Sequence, residues 1–242
     1  MSAEVRLGDW RDVLPGTYDP THAVIVTDPP YGLGAGPGNG APGVHSRGRA
    51  QEDIRKGHET DKGYGDTIPW SRHVADVLQL LPAKRHVIRG PATTIIRRDY
   101  PQPRRVCVEV AAYRRRAANR PGVVPYLWQG WCIYGRIKVD RHARQPSGDA
   151  MASRSLLQLN EGDIQMRRTA HRALTPYASA LWIVDNWVDP GDVVIDPFAG
   201  HGTIGRAARA HGFDYIAAEI DPEFYAVAVE GFAVDRLMMG LA

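Results

Sequence analysis

The chain has 242 residues, of which 43% are hydrophobic and 24% are charged, and its net charge is +3. This length allows one substantial core, and the composition excludes wholesale disorder. No apolar run reaches about eighteen residues and the first residues carry no signal-peptide pattern, so neither a membrane span nor secretion is expected. We expect a cytoplasmic protein with a single domain over residues 1–242.

Short apolar runs alternate with helical patterns along the chain, which is typical of βαβ units and a mostly parallel sheet. The fold class is therefore predicted to be α/β. The predicted strands are residues 5–7, 23–27, 85–88, 105–110, 129–137, 193–195 and 215–218, and the predicted helices are residues 70–81, 176–187, 203–210 and 222–238.

Two polar segments interrupt this alternation. Residues 32–66 are rich in glycine and too long for an ordinary connection, which is typical of a functional lid, a binding loop or a disordered segment. Residues 138–170 form the second polar stretch. Between residues 97 and 120 eight arginines stand against Asp99 and Glu109, which fits either a surface facing a polyanion or a solvated charged face.

The cysteines and histidines give no sign of a metal site or a disulfide. Cys107 and Cys132 are too few for a disulfide framework and lack C-x-x-C spacing, so buried free thiols in a reducing compartment are expected. The nine histidines show no metal-ligand spacing, so no metal is expected. The tryptophans Trp128 and Trp131 are expected to pack in the core or a groove rather than to stack on bases.

A glycine loop follows the predicted strand 193–195, in the run Asp196-Pro197-Phe198-Ala199-Gly200-His201-Gly202-Thr203. A strand, a G-x-G pattern and then a helix let the backbone approach a ligand at a helix N-terminus. The next predicted strand leads to Glu219, whose carboxylate is placed to accept hydrogen bonds from ribose hydroxyls. We interpret the loop as a G-x-G pattern rather than a dinucleotide fingerprint, and expect another nucleoside as the ligand.

The run Thr27-Asp28-Pro29-Pro30-Tyr31-Gly32 closes the predicted strand 23–27. TDPPYG resembles the catalytic motif of the S-adenosylmethionine-dependent DNA amino-methyltransferases, and VIDPFAGHGTIG resembles their cofactor-binding motif. The catalytic motif comes first, an order similar to the permuted group called β. The resemblance implies a Rossmann-like methyltransferase fold with a mostly parallel seven-stranded sheet in circularly permuted motif order. It also implies S-adenosylmethionine as cofactor, double-stranded DNA as partner, and residues 138–170 as a short target-recognition insertion.

The resemblance also extends to shorter elements. The run LGDWRDVL is similar to the family's G-D-x-x-x-x-L element, which makes Asp9 a candidate for the adenine end of the cofactor. Thr175 stands where the family carries a lysine before the cofactor motif. The candidate cofactor-binding residues are Asp9, Asp28, Thr175, Asp196, Phe198, Gly200, Gly202, Thr203 and Glu219.

The predicted catalytic residues are Asp28, Pro29, Pro30 and Tyr31. An exocyclic base amine is a poor nucleophile because its lone pair is delocalised into the ring. The Asp28 carboxylate and the Pro29 carbonyl can each accept a hydrogen bond from one of its N–H groups. The prolines make a rigid loop that has no backbone N–H to donate. Tyr31 offers a ring for a base flipped out of the duplex.

The implied activity is methyl transfer to a base in duplex DNA, with adenine N6 favoured because the resemblance associates aspartate at the first motif position with adenine. The alternatives are an N4-cytosine DNA methyltransferase, an RNA or protein-glutamine methyltransferase, and a non-catalytic DNA-binding relative. Restriction-modification is the expected context, and pairing into a homodimer is expected.

Overall fold

The computed structural model describes residues 2–30, 68–91, 101–111, 128–135, 156–159 and 175–238. Tyr31, the predicted loop 32–66 and most of the predicted insertion 138–170 lie outside these described residues. The same is true of six of the eight arginines between residues 97 and 120; the two that are described, Arg104 and Arg105, are exposed.

Eight strands and five helices account for the regular structure of the described residues. The strands are β1 (Ala3–Leu7), β2 (Ala23–Thr27), β3 (Arg85–Pro91), β4 (Arg105–Ala111), β5 (Trp128–Gly135), β6 (Leu156–Leu159), β7 (Val193–Asp196) and β8 (Asp214–Glu219). The helices are α1 (Trp10–Val13), α2 (Trp70–Leu80), α3 (Tyr177–Trp187), α4 (Thr203–Ala210) and α5 (Pro222–Met238).

The strands form one sheet in the order β1-β8-β7-β2-β3-β5-β4-β6. Every neighbouring pair is parallel except the two pairs of β5, which runs antiparallel to β3 and to β4. The predicted Rossmann-like α/β fold with a mostly parallel sheet is therefore confirmed. The predicted number of seven strands is wrong, because the run Leu156–Leu159 inside the predicted insertion pairs with β4 as an eighth strand at the edge.

Two other features differ from the sequence prediction. The turn α1 was not predicted, because four residues are too few for a helical period to be visible. It begins where the Asp9 side chain accepts a hydrogen bond from the backbone N–H of Arg11 at 2.9 Å, which is an N-cap. The strand predicted over residues 129–137 ends at Gly135 in the described residues, where glycine has a positive φ of 84°.

The core lies on both faces of the sheet. Along β2, Val24 and Val26 belong to the cluster that α3, α4 and α5 cover, whereas Ala23 and Ile25 belong to the cluster beneath α1 and α2. All five residues of β2 are buried, as expected for a central parallel strand with helices on both sides. Such a strand presents its functional groups only at its end.

The chain reverses its direction of travel across the sheet between β7 and β2. From β7 it proceeds through β8 towards one edge, whereas β2 is followed by β3 towards the other edge, and β2 pairs directly with β7. Ligands of open α/β sheets bind at the carboxyl ends of the strands at such a switch point. The ends of β2 and β7 carry the two sequence motifs singled out above.

Other expectations concern the cysteines and the tryptophans. Cys107 and Cys132 are buried free thiols, as predicted, and Trp131 is fully buried in the core. Burial raises the pKa of each thiol to about 12. Among the residues that the structure describes, no helix is both long and apolar enough to cross a membrane, and no group of histidine, cysteine and acidic side chains is arranged to hold a metal ion.

Candidate active site

The two motifs meet at the carboxyl edge of the sheet. β2 and β7 pair in parallel with Ile25 opposite Ile195, so the residues that follow each strand emerge side by side. The Thr27 hydroxyl donates a hydrogen bond of 2.7 Å to Asp196 Oδ1, and both side chains are fully buried. This bond joins the strand that leads into Asp28 to the strand that leads into the glycine loop.

Asp28 presents its two carboxylate oxygens differently. Its Oδ2 accepts hydrogen bonds from Arg89 Nη1 at 2.8 Å and from the Thr175 hydroxyl at 2.6 Å. Its Oδ1 is buried and has no hydrogen-bond partner among the described residues. Buried polar atoms are rarely left unpaired, so this oxygen is an acceptor suited to a donor that the protein itself does not provide.

Arg89 and Glu109 form a buried ion pair behind Asp28. Arg89 Nη2 lies 2.9 Å from Glu109 Oε2, with side-chain exposures of 7% and 3%. Glu109 Oε1 in turn accepts hydrogen bonds from Trp131 Nε1 and from the Ser179 hydroxyl. Glu109 stands in the arginine-rich stretch that the sequence predicts to be exposed, but the alternation of β4 turns it towards the core, where only a paired carboxylate is tolerated.

Asp196 is enclosed by protein groups. Besides the Thr27 hydroxyl, it accepts hydrogen bonds from the Phe198 backbone N–H at 3.1 Å and from the Tyr215 hydroxyl at 3.0 Å. Burial raises the pKa of this carboxyl to about 7, against the effect of these donors. Because the side chain is fully buried, the contacts described for Asp196 serve to connect β2, β7 and β8; its predicted contact with a cofactor stays a prediction.

The glycine loop follows β7 and leads into α4. Gly200 and Gly202 have φ angles of +52° and +76°, which side chains other than glycine rarely adopt. A Cβ on Gly200 would meet open space, so the loop leaves room beside its backbone. Gly202 then precedes Thr203, the first residue of α4, and no side chain caps this helix. The uncapped N-terminus and the open loop together suit an anionic group.

The loop contains a third glycine that the sequence analysis missed. Gly200-His201-Gly202-Thr203-Ile204-Gly205 is a complete G-x-G-x-x-G pattern, which counting three positions beyond Gly202 would have revealed. A Cβ on Gly205 would lie 2.4 Å from Tyr215 Cε1 and 2.6 Å from Phe232 Cζ. Gly205 therefore allows α4 to pack closely on β8, which is the role of the third glycine in such patterns.

Glu219 lies at the end of β8, beside the glycine loop. Its Oε2 accepts a hydrogen bond from the Gly200 backbone N–H at 2.7 Å, and its Oε1 accepts one from the Asp221 backbone N–H at 2.9 Å. Burial raises the pKa of this carboxyl. Carboxylate oxygens have more lone pairs than these two bonds occupy, so Glu219 keeps capacity to accept further donors.

Asp9 lies just beyond the carboxyl end of β1, on the same side of the sheet as the ends of β2, β7 and β8. Gly8 donates its backbone N–H to the Glu219 backbone carbonyl at 2.9 Å, which places the end of β1 beside the end of β8. The Asp9 carboxylate also lies 3.3 Å from Arg11 Nη1, and the Arg11 guanidinium stands 4.6 Å from the ring centroid of Trp10. These contacts orient Asp9 without enclosing it.

Phe198 stands between β7 and the two glycines of the loop and packs against two other rings. Its ring contacts Trp10 and His73 edge-to-face, with centroid distances of 6.2 and 5.2 Å. The ring is half-buried, so one part of it remains available as an apolar surface.

The predicted site residues of the described chain thus converge on one edge of the sheet. Asp28 and Thr175 are in direct contact, and Asp196 links their strand to the glycine loop. The remaining predicted residues at this edge are Asp9, Pro29, Pro30, Phe198, Gly200, Gly202, Thr203 and Glu219. Tyr31 lies outside the described residues. The unpaired Asp28 Oδ1, the open glycine loop and the carboxylate of Glu219 fit the cofactor and the amine that the sequence resemblance implies.

Comparison with known protein families supports the resemblance. The family described as DNA methylase, of the N6 and N4 type, matches residues 127–230. Over 60 residues the chain is 37% identical to the orphan methyltransferase M.BamHII of Bacillus amyloliquefaciens, a stretch that covers 25% of this chain and 23% of that protein. The matched stretch therefore spans about a quarter of the length of this curated relative.

Solved structures show the same fold. The PvuII DNA methyltransferase, described as cytosine-N4-specific, superposes with a TM-score of 0.60 at 14% identity, over 95% of this chain and 86% of that one. The M1.HpyAVI–SAM complex gives a TM-score of 0.54 at 16% identity, over 95% of this chain and 99% of that one.

Proposed function

We propose that this chain is an S-adenosylmethionine-dependent DNA amino-methyltransferase, which transfers a methyl group from that cofactor to the exocyclic amine of a base flipped out of duplex DNA. Adenine N6 is the proposed acceptor. The observation that carries the proposal is the unpaired, buried Asp28 Oδ1. Asp28 follows β2, and the Thr27–Asp196 hydrogen bond joins the end of β2 to the end of β7, from which the glycine loop begins.

Asp28 and Pro29 would hold the amine. Asp28 Oδ1 and the Pro29 backbone carbonyl accept hydrogen bonds from its two N–H groups, which directs the nitrogen lone pair away from both acceptors. Pro29 is buried and Pro30 is half-buried, so the loop is packed against the protein and its carbonyl direction is fixed. Positioning two reactants in this way contributes up to roughly 7–11 kcal/mol to lowering a barrier.

The glycine loop, Glu219 and Asp9 would hold the cofactor. The backbone around Gly200 approaches it closely, the N-terminus of α4 favours its carboxylate, and Glu219 accepts hydrogen bonds from its ribose hydroxyls. Asp9 faces its adenine end, and Phe198 offers an apolar surface. When bound, S-adenosylmethionine supplies a methyl group activated by the positive sulfonium.

Adenine is proposed over cytosine on the identity of residue 28. The resemblance associates aspartate at the first position of the catalytic motif with adenine and serine with cytosine. The fold itself does not discriminate, since the structure with a TM-score of 0.60 is described as cytosine-N4-specific. N4-cytosine methylation is therefore the second candidate, and it is distinguished in the same experiment.

The test is to incubate the protein with labelled cofactor and unmethylated duplex DNA of mixed sequence, and to identify the methylated nucleoside by mass spectrometry. We expect N6-methyladenine. N4-methylcytosine alone would refute the choice of base, and transfer only to RNA or to protein glutamine would refute the choice of substrate. A wild-type protein that binds DNA but no cofactor in calorimetry would be a non-catalytic relative.

Asp28→Ala tests the catalytic assignment. This variant should keep its affinity for the cofactor and lose at least about a hundredfold of its transfer rate, because an acceptor for the reacting amine is removed. Asp19→Ala is the matched control, since Asp19 is an exposed aspartate in the turn before β2 and the hydrogen bonds described for its carboxylate come from Thr21 alone. Equal rates in the two variants would contradict the role of Asp28.

We also propose that the protein acts on double-stranded DNA as a homodimer. Sedimentation of the protein with and without duplex DNA measures the assembly directly. A single species at the monomer mass over the working range of concentrations would refute the dimer without affecting the proposed chemistry.

A further inference from the structure

Three buried charges follow one another behind the site. Arg89 bridges two carboxylates, with Nη1 at 2.8 Å from Asp28 Oδ2 and Nη2 at 2.9 Å from Glu109 Oε2. The three side chains are 12%, 7% and 3% exposed, in the order Asp28, Arg89, Glu109. Removing charges from water is costly, and hydrophobic residues often replace such groups without loss of stability. A functional reason for keeping them is therefore worth testing.

The far end of this network is fixed by neutral donors. Trp131 Nε1 and the Ser179 hydroxyl both donate to Glu109 Oε1, and Trp131 Nε1 also lies 3.1 Å from Ser179 Oγ. Both donors are fully buried, on β5 and on α3. Glu109 therefore cannot turn away from Arg89 without breaking buried hydrogen bonds.

The backbone of Arg89 is held as well. Trp70 Nε1 donates a hydrogen bond of 2.7 Å to the Arg89 carbonyl. Gly90 makes this contact possible, because a Cβ there would lie 2.4 Å from Trp70 Cζ2. Both the main chain and the guanidinium of Arg89 are thus placed by groups that do not belong to the catalytic motif.

The consequence appears at Asp28. Arg89 and Thr175 both donate to Oδ2, so two donors on one oxygen fix the rotation of the carboxylate. The other oxygen, Oδ1, is left buried and without a partner among the described residues. Glu109 offsets the charge of Arg89, so the guanidinium can orient Asp28 without adding a net positive charge beside a cationic sulfonium.

From this geometry we infer that Arg89, held by Glu109, is a positioning residue for methyl transfer: it turns the Asp28 carboxylate so that Oδ1 faces the amine. The inference rests on the proposed function, because the amine is the group that Oδ1 would accept. Arg89 acts through Asp28 and does not itself touch the reacting atoms.

The experiment uses Arg89→Lys and the charge-balanced double variant Arg89→Met/Glu109→Gln. Single-turnover methyl transfer to duplex DNA, the dissociation constants for S-adenosylmethionine and DNA, and the crystal structure around Asp28 are measured for each. The double variant should transfer about 10- to 100-fold more slowly, which corresponds to the loss of one hydrogen bond between charged groups. Both dissociation constants should stay within about threefold of wild type. Lysine keeps the charge but lacks the two-pronged geometry, so Arg89→Lys should fall between wild type and the double variant.

Arg85→Lys is the matched control. Arg85 is an equally buried arginine on β3, but it lies at the opposite end of the strand, where it donates to the Trp187 carbonyl. Its substitution should leave the transfer rate at the wild-type value once the proteins are compared below their unfolding temperatures.

Three results would overturn the inference. The first is a folded double variant that transfers at the wild-type rate, or, where that variant does not fold, an Arg89→Lys protein at the wild-type rate. The second is an equal loss in Arg85→Lys, or a loss of cofactor affinity as large as the loss of rate, since either indicates general damage to the sheet. The third is an Asp28 carboxylate that keeps its orientation in the crystal structure of the variant. A wild-type protein that methylates no DNA refutes the proposed function instead, and the crystal structure then still tests the orientation of Asp28.

Discussion

Replacing Thr27 by valine removes the hydroxyl that joins β2 to β7 while keeping the shape of the side chain. The lost bond is the one of 2.7 Å to Asp196 Oδ1, between two fully buried groups. Hydrogen bonds to charged groups contribute roughly 1.5–3 kcal/mol, so a loss of about 2 kcal/mol is expected when Asp196 is ionised. For a chain of this length that loss lowers Tm by about 4–8 °C.

The loss of stability in Thr27→Val should depend on pH. Burial raises the folded-state pKa of Asp196 from 3.8 to about 7, so this group's contribution to stability is greatest below about pH 4 and falls as pH rises through 7. The Thr27 hydroxyl lowers that pKa, and Thr27→Val raises it further. The variant therefore loses additional stability only as pH rises through 7 and above, and the difference in Tm between wild type and variant should be larger at about pH 8.5 than at about pH 5.5.

Calorimetric unfolding at the two pH values measures this difference. Thr21→Val is the control, because the Thr21 hydroxyl donates to the exposed Asp19, whose pKa is lowered by hydrogen bonds from the Thr21 backbone and side chain. Asp19 stays ionised over this range, so the control should show no such dependence on pH. An equal loss for Thr27→Val at both pH values would refute the reasoning that Asp196 titrates near neutrality in the folded protein.

Three further predictions concern packing, thiols and cofactor binding. Gly205→Ala should destabilise the protein by about 1–3 kcal/mol in thermal unfolding, because its Cβ would lie 2.4 Å from a buried aromatic ring, whereas Gly231→Ala, whose Cβ has room within α5, should be neutral or stabilising. The two cysteines, buried and with thiol pKa values raised to about 12, should react with a thiol reagent at about pH 8 only as fast as the protein unfolds; rapid labelling of the native protein would contradict their placement. Glu219→Gln should weaken S-adenosylmethionine binding about tenfold in calorimetry, since a neutral amide is a poorer acceptor for ribose hydroxyls, and unchanged affinity would remove Glu219 from the site.

The sequence by itself determined the features that rest on local patterns. The helices Thr203–Ala210 and Pro222–Met238 lie where their periodicity predicted them, and the strand Ala23–Thr27 does too. The TDPPYG run and the glycine loop were visible as motifs because each needs particular residue types in consecutive positions, and their order along the chain carried the resemblance to a permuted family. Residue type and spacing over a few positions were sufficient for these predictions.

The tertiary structure decided which side chains meet. Arg89 and Thr175 reach Asp28 from 61 and 147 positions away in the sequence, and no local pattern marks either of them as its partner. The alternation of β4 predicts one buried face but not that Glu109 on it meets an arginine of β3, because that depends on β5 pairing with both strands. The edge strand Leu156–Leu159 is likewise defined by its partner, since this short run of three leucines and one glutamine within a polar stretch becomes a strand only beside β4. Strand order, which is set by packing over the whole chain, therefore determined the surroundings of the carboxylate that the sequence had already identified.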